Sequence, residues 1–332
     1  MKDYKVAILG ATGAVGQEMI KILEERFFPV RELVPLASAR SAGKTVKFCG
    51  EDVKIRVAEA GAFEGCDIVL GAAENDISKA MAPAIRKAGA LYIDNSSAFR
   101  LDPEVPLVVP EVNGSDAFSH KGLIANPNCV TIIASMALAP IARLSPIKTL
   151  TASSYQAVSG AGAAGLAELK DQVAAYAKGD ELKVNAFAHQ IAFNLIPKIG
   201  GIDENGYSSE EMKLLNEGRK ILHLPEMNVC CTCVRVPVFR SHAISMQLTT
   251  EDVLDLGKVR SAIANFPGVR LMDDPDDEIY PMPLDTSDQD TVYVGRIRRD
   301  LINENGIALW CCGDQIRKGA ATNAVQIAEL FK

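Results

Sequence analysis

The run YKVAIL at residues 4–9, followed by GATGAVG at 10–16 and QEMIKILEERF at 17–27, decides the fold. A short β-rich apolar segment, three glycines spaced three apart, and Ile20, Leu23 and Phe27 at helical spacing describe a strand, a tight turn and a helix. Glycines at 10, 13 and 16 let the backbone come close to a pyrophosphate. That group would lie at a helix N-terminus, where unpaired N–H groups and the helix dipole favour an anion. Glycines also punctuate ordinary turns, so the reading rests on their place between a strand and an amphipathic helix.

Outward from this unit, ELVPLAS (32–38), DIVLGA (67–72) and LYIDNSS (91–97) read as further strands, with the helical DISKAMAPAIRKAG (76–89) between the last two. Strands alternating with helices imply a parallel, doubly wound sheet. An NAD site usually carries an acidic residue at the end of the second strand, for the ribose hydroxyl. Here that strand runs into ASARSAGK (37–44), which has no acid. Ser38 and Arg40 suit a 2′-phosphate, against the plainer reading of an exposed polar loop, and NADP is the expected dinucleotide.

The chain has 332 residues, more than one hydrophobic core usually serves, so two domains are expected. Its composition, 48% hydrophobic and 23% charged, is that of a globular protein, and its net charge of −7 opposes nonspecific binding to nucleic acid. The opening MKDYKVAILG is too short for a signal-peptide core and no run reaches membrane-spanning length, which points to the cytoplasm. Eight cysteines show no evenly spaced framework and are expected as thiols. Cys230, Cys231 and Cys233 alternate within NVCCTCVRVPV without the matching His/Cys pair that structural zinc needs, so no metal site is expected.

NPNCV at 126–130 carries the chemistry in question. Pro127 disfavours helix in the residue before it, so the apolar VTIIASMALAPIARL (130–144) is expected to begin a buried helix at or near Cys129 and to bend or end at Pro140. A thiol at a helix N-terminus has a lowered pKa. Cys129 is therefore either an activated nucleophile or a small packed hydrophobe. Beyond it come a strand at IKTLTASSYQAV (147–158), an amphipathic helix at AGLAELKDQVAAYAKG (164–179), a helix at SSEEMKLLNEGRKIL (208–222) with a serine cap, and mostly strands from 228 to 312. His242 shares a strand face with Ile244, Met246 and Leu248; it is either a core histidine or the base of a thiol–imidazole pair, and Arg235 and Arg240 stand close to it in sequence. Gln156 suits substrate positioning or a buried structural amide. Arg100 and Lys213 are candidate anion binders or solvated surface.

The expected architecture is α/β: an N-terminal Rossmann-type doubly wound sheet (residues 1–128 with a C-terminal helix, 314–332) and a second, α+β catalytic and dimerisation domain (129–313).

Taken in order, GATGAVG, LASARSAGK, DNSSAFR, NPNC, YQAVSGAG, EEMK, RVPVFRSH and RKGAATNAVQIAE span nearly the whole chain, and the set resembles the aspartate-β-semialdehyde dehydrogenase family. That resemblance implies reversible, NADPH-dependent reductive dephosphorylation of L-4-aspartyl phosphate to L-aspartate 4-semialdehyde, toward lysine, methionine and threonine, by a homodimer. It implies Cys129 as the nucleophile that forms a thioester, His242 as acid/base and Gln156 as a positioning amide. Arg235 would clamp the substrate carboxylate, Glu210 would meet the ammonium, and Arg100, Asn128 and Lys213 would hold phosphate. The implied cofactor residues are Gly10, Thr12, Gly13, Ala14, Val15, Ser38, Arg40, Ser41, Ser159, Gly160, Gln315 and Asn323.

Three features depart from or blur the family pattern: Val130 follows NPNC where Ser is usual, DQIRKG stands where many relatives have DNLRKG, and Glu210 rather than Glu211 rests on counting back from Lys213. Reductases of N-acetylglutamyl phosphate or of acyl-CoA, and a noncatalytic binding module, are the alternatives. Asn128 and Val130 disfavour the first, and the presence of both Cys129 and His242 disfavours the last.

Overall fold

The computed structural model describes residues 3–332, whose contacts divide them into two compact units. One runs to Asn128 and includes Ala320–Lys332; the other is Cys129–Gly319.

In the first unit, six parallel strands lie in the order 56–57, 30–37, 4–9, 68–71, 91–94, 123–125. Tyr4–Leu9 is central, paired with Val30–Ala37 on one side and Ile68–Gly71 on the other, so the strand order reverses at its end. Such a switch point opens a crevice at the carboxyl ends of the strands. Both faces of the strand are covered, which is why it is apolar almost throughout instead of alternating. Val6 and Ile8 pack with Ile20 and Leu23 of the helix Ala14–Glu25, while Ala7 and Leu9 pack with Ala82 and Ile85 of the helix Asn75–Lys87.

The glycine turn is tight for identifiable reasons. Gly10 has φ of +92°, and a Cβ there would lie 2.5 Å from the Ala72 carbonyl oxygen; one at Gly16 would lie 2.3 Å from the Gly10 oxygen. Gly13 caps the following helix without a side-chain bond, and no acidic residue stands in the first turn. The helix Thr322–Glu329 returns to this unit: Val325 and Ala328 join its core, Arg26 pairs with Glu329 at 2.6 Å, and Tyr4 Oη donates to Phe331 O at 2.7 Å.

The second unit holds a mixed six-stranded sheet in the order 228–235, 147–156, 242–250, 306–313, 292–299, 269–271. Its first helix, Cys129–Ala142, is buried at every position from Val130 to Ile141, continues through Pro140 and ends two residues later. Residues 314–319, expected with the first unit, belong to the second. Their side chains are tied there: Asp314 forms an ion pair with Arg240, Nε to carboxylate oxygen 2.6 Å, and accepts from the Asp288 N–H at 2.7 Å, and Arg317 pairs with Asp290 at 2.8 Å.

Gly16→Ala is expected to destabilise the chain by about 1–3 kcal/mol through forced overpacking. Gly13→Ala, whose Cβ would meet its nearest neighbour at an ordinary 3.5 Å, should leave the unfolding midpoint nearly unchanged. Thermal denaturation of both variants checks the contrast.

Candidate active site

Neighbouring strand ends in the second unit bring its polar side chains together. Strand register sets Arg235 opposite Gln156 and Ala243 opposite Tyr155, which brings His242 level with the end of the strand Ile147–Gln156 between them. On His242's other side its partner is Gly313. Gln156, Arg235 and His242 are all buried, His242 completely.

Glu210 comes from the helix Ser209–Leu222, whose start is fixed by a capping box. The Ser208 side chain accepts from the Glu211 N–H, and Glu211 Oε2 accepts from the Ser208 N–H at 2.6 Å. Glu211 Oε1 takes the Cys233 N–H at 2.9 Å, so that carboxylate is spent on backbone. Glu210, one residue earlier, accepts from Gln156 Nε2 at 3.3 Å and pairs with Lys213 Nζ at 2.9 Å. The Glu210 carboxylate, and not that of Glu211, therefore faces the buried group.

Ala157 organises the imidazole and the guanidinium. Its N–H donates to His242 Nδ1 at 3.1 Å, and its carbonyl accepts from Arg235 Nη1 at 2.6 Å. Because a backbone N–H can only donate, Nδ1 must be the unprotonated nitrogen and the ring proton of neutral His242 sits on Nε2. Nε2 has no hydrogen-bond partner among the described residues. Burial, and after it the nearby Arg235 charge, push the imidazole pKa down to about 3; Glu210 opposes this weakly. Burial also lowers the Arg235 pKa, while the charges of Cys129, Glu210 and Cys233 work to raise it.

Gly160 faces the same group. A Cβ there would lie 2.7 Å from Arg235 Nη1 and 3.5 Å from His242 Nε2, so only glycine leaves the space open.

Cys129 is the first residue of its helix and is half-buried. The chain closes on it at Gly319, where a Cβ would come within 3.1 Å of the Cys129 Cβ. Gly319 lies in a π-helical turn, Arg317–Ala321, a form that recurs at functional sites. Asn128 is buried. The other cysteines are differently placed: Cys231 and Cys233 are buried with sulfurs 3.8 Å apart, and burial pushes the Cys312 thiol up to about 12.

Several expected ligand-binding side chains already have protein partners. In the first unit, Arg100 donates through Nε to Asn126 O at 3.0 Å and through Nη2 to Asn95 O at 2.6 Å, holding the segment that leads into Cys129. Asn323 is fully buried, its Nδ2 donating to Val108 O and Asn126 Oδ1. In the second unit, Gln315 joins Ser241 to Ser159. Thr12, Gly13 and Ala14 are exposed at the helix start with Val15 partly so, and Ser38 and Arg40 are exposed beyond the second strand, with Ser41 less so.

Sequence reasoning missed Ala157, Gly319 and Ser241. A glycine within the helical pattern at 319 was the one available signal; Ser241 acts through its backbone, and Ala157 through groups every residue possesses.

A half-buried thiol at a helix start, an arginine and a histidine kept from water, and in the other unit a dinucleotide-type glycine turn together fit the class of nicotinamide-dependent dehydrogenases. Residues 5–120 match the family model described as semialdehyde dehydrogenase, NAD binding domain, and residues 138–318 the one described as semialdehyde dehydrogenase, dimerisation domain. An aspartate-semialdehyde dehydrogenase of a Synechocystis strain is 50% identical over 98% of this chain and 97% of its own. Aspartate semialdehyde dehydrogenase II of Vibrio cholerae, solved in complex with ASA, is 44% identical over 99% of this chain and 98% of its own, with a TM-score of 0.97. An aspartate semialdehyde dehydrogenase of Candida albicans, solved with NADP, is 25% identical over 99% and 98% of the two chains, with a TM-score of 0.77. The chain belongs to the aspartate-semialdehyde dehydrogenase family.

Because the folded pKa of His242 lies below its ordinary value of 6.5, burying the neutral ring contributes stability above that pH, and this is lost as pH falls toward 3. Between neutrality and about pH 4, wild type should thus lose more stability than His242→Asn. Urea unfolding midpoints across that range give the comparison.

Proposed function

We propose that this chain catalyses the phosphate-dependent, reversible interconversion of L-aspartate 4-semialdehyde and L-4-aspartyl phosphate with NADP, Cys129 being the nucleophile. The observation that carries the proposal is Cys129 at its helix start, in the same unit as a buried Arg235 and His242 that are held by one residue, Ala157.

The glycine turn fits the cofactor. Gly10 and Gly16 have no room for a side chain, and the helix at Ala14 offers N–H groups with neither a side-chain cap nor a nearby acid, as a pyrophosphate requires. Gly10, Thr12, Gly13, Ala14 and Val15 would hold that group, and Ser38, Arg40 and Ser41 the 2′-phosphate. When bound, the reduced cofactor would supply hydride.

The remaining chemistry belongs to the protein. In the biosynthetic direction the Cys129 thiolate attacks the acyl carbon, the carbon–oxygen bond to phosphate breaks, and a thioester forms. A thioester accepts hydride more readily than a carboxylate, which is the reason for covalent attachment. Negative charge develops on the carbonyl oxygen at each tetrahedral stage, and neutral His242 would stabilise it by donating a hydrogen bond from Nε2, the charge returning to a C=O bond as phosphate or the thiolate departs. When the carbon–sulfur bond breaks, Cys129 returns as thiolate.

Arg235 would clamp the substrate carboxylate with the donors that Ala157 leaves available, and Gln156 and Glu210 would face the ammonium. Lys213 would have to share or exchange Glu210 to meet phosphate. Arg100 would contribute chiefly by holding the Asn126–Asn128 segment, where Asn128 adjoins the nucleophile. By the same reading Ser159, Gly160 and Asn323 would also help to hold the cofactor.

A homodimer formed through the second unit is supported by the dimerisation-domain match over residues 138–318. A cytoplasmic setting is supported by the absence, among the described residues, of any helix long and apolar enough to cross a membrane.

Reduced-cofactor absorbance, followed with aspartate semialdehyde, NADP and phosphate, tests the reading. Turnover should require phosphate and fall at least about 10³-fold in Cys129→Ala. Arg40→Ala should weaken NADP about 10- to 100-fold while leaving NAD little changed, the worth of a charge-assisted contact. Turnover with N-acetylglutamate semialdehyde instead, or full activity in Cys129→Ala, would sink the proposal.

A further inference from the structure

Gln315 follows, by two residues, the Gly313 that pairs with His242, and it is buried. Family resemblance makes it a cofactor contact, but both ends of its amide are engaged with protein. Oε1 accepts from the Ser241 N–H at 2.8 Å and Nε2 donates to Ser159 Oγ.

Each partner adjoins a residue at the reacting end of the site. Ser241 immediately precedes His242; Ser159 immediately precedes Gly160, whose missing side chain leaves the space beside His242 Nε2 and Arg235. Ser241 is also strained, with φ of +72° at a residue that is not glycine. Such a conformation persists only when its surroundings over-determine it. Here the N–H is held by Gln315, and the hydroxyl by Thr286 Oγ1 at 2.6 Å, itself bonded to Met282 O.

We infer that Gln315 is a positioning residue for His242: its amide spans the gap between the two segments that carry His242 and Gly160 and fixes where Nε2 points. The inference rests on the proposed thioester chemistry for its kinetic consequence, although the placement of the ring does not. Gln suits this span because it can accept at one end and donate at the other. Leu fills similar volume and can do neither; Asn has both groups but is one methylene shorter.

The test compares Gln315→Leu and Gln315→Asn, each also combined with His242→Asn. Losing a hydrogen bond costs up to about tenfold, so kcat should fall about 10- to 100-fold in Gln315→Leu and less in Gln315→Asn, with NADPH affinity measured by fluorescence changing under about twofold. With His242→Asn already present, Gln315→Leu should change kcat by less than about twofold, because the two act as a unit. Additive losses, or weakened NADPH binding with kcat preserved at saturation, would overturn the assignment. Nitrogen-15 NMR reads the ring directly, His242 being identified by the signal missing in His242→Asn. That signal should shift in both Gln315 variants, and an unmoved signal would also overturn the inference. If the wild type lacks phosphate-dependent turnover, the proposed function falls while the NMR comparison still decides this one.

Discussion

Ala157 has no side chain capable of chemistry, but its backbone holds both the imidazole and the guanidinium of the site. Its N–H fixes the imidazole of His242 and, with it, which nitrogen carries the proton; its carbonyl fixes Arg235. The arrangement works because the chain leaves regular pairing immediately after Gln156, at the end of the strand Ile147–Gln156, with hydrogen-bonding groups to spare. Neighbouring strands then deliver Arg235 and His242 to the same level by register alone. A slip of one residue would turn His242 to the opposite face.

Around this point, electrostatics and burial act in opposite directions. Burial keeps the imidazole neutral and weakens the charged form of Arg235, whereas Glu210 and Cys129 favour protonation of the guanidinium. A dry site strengthens each remaining interaction, so a single carboxylate can matter to several groups. Glu210 is that carboxylate because Glu211 is consumed in capping its helix and in bonding the strand beside it.

Much of this was legible in the sequence. The strand–glycine–helix unit, the helix beginning at Cys129, the Ser208 cap and the return of the last helix to the first unit each follow from local rules of periodicity and capping. Other features depend on partners far along the chain. Nothing in DNSSAFR says that Arg100 will spend its donors on Asn95 and Asn126 carbonyls, or in DQIRKG that Gln315 will span Ser241 and Ser159. The grouping of 314–319 with the second unit is hidden for the same reason: its polar side chains pair with residues 240, 288 and 290, and its mostly polar sequence shows no apolar face to reveal where it packs. Ser241 offered no warning, since left-handed backbone is unexpected at serine.

The second unit begins at Cys129 and ends at Gly319, and those two residues touch. In architectural terms it is an insert whose ends meet, spliced into a nucleotide-binding host that resumes with its final helix. Inserts of this kind can be accommodated without stretching the host, which is how domains are most readily gained or exchanged over evolution. The Cys129 sulfur sits at the splice itself. A host that acquired such a module would thus have received Cys129 and the glycine that closes on it in one event.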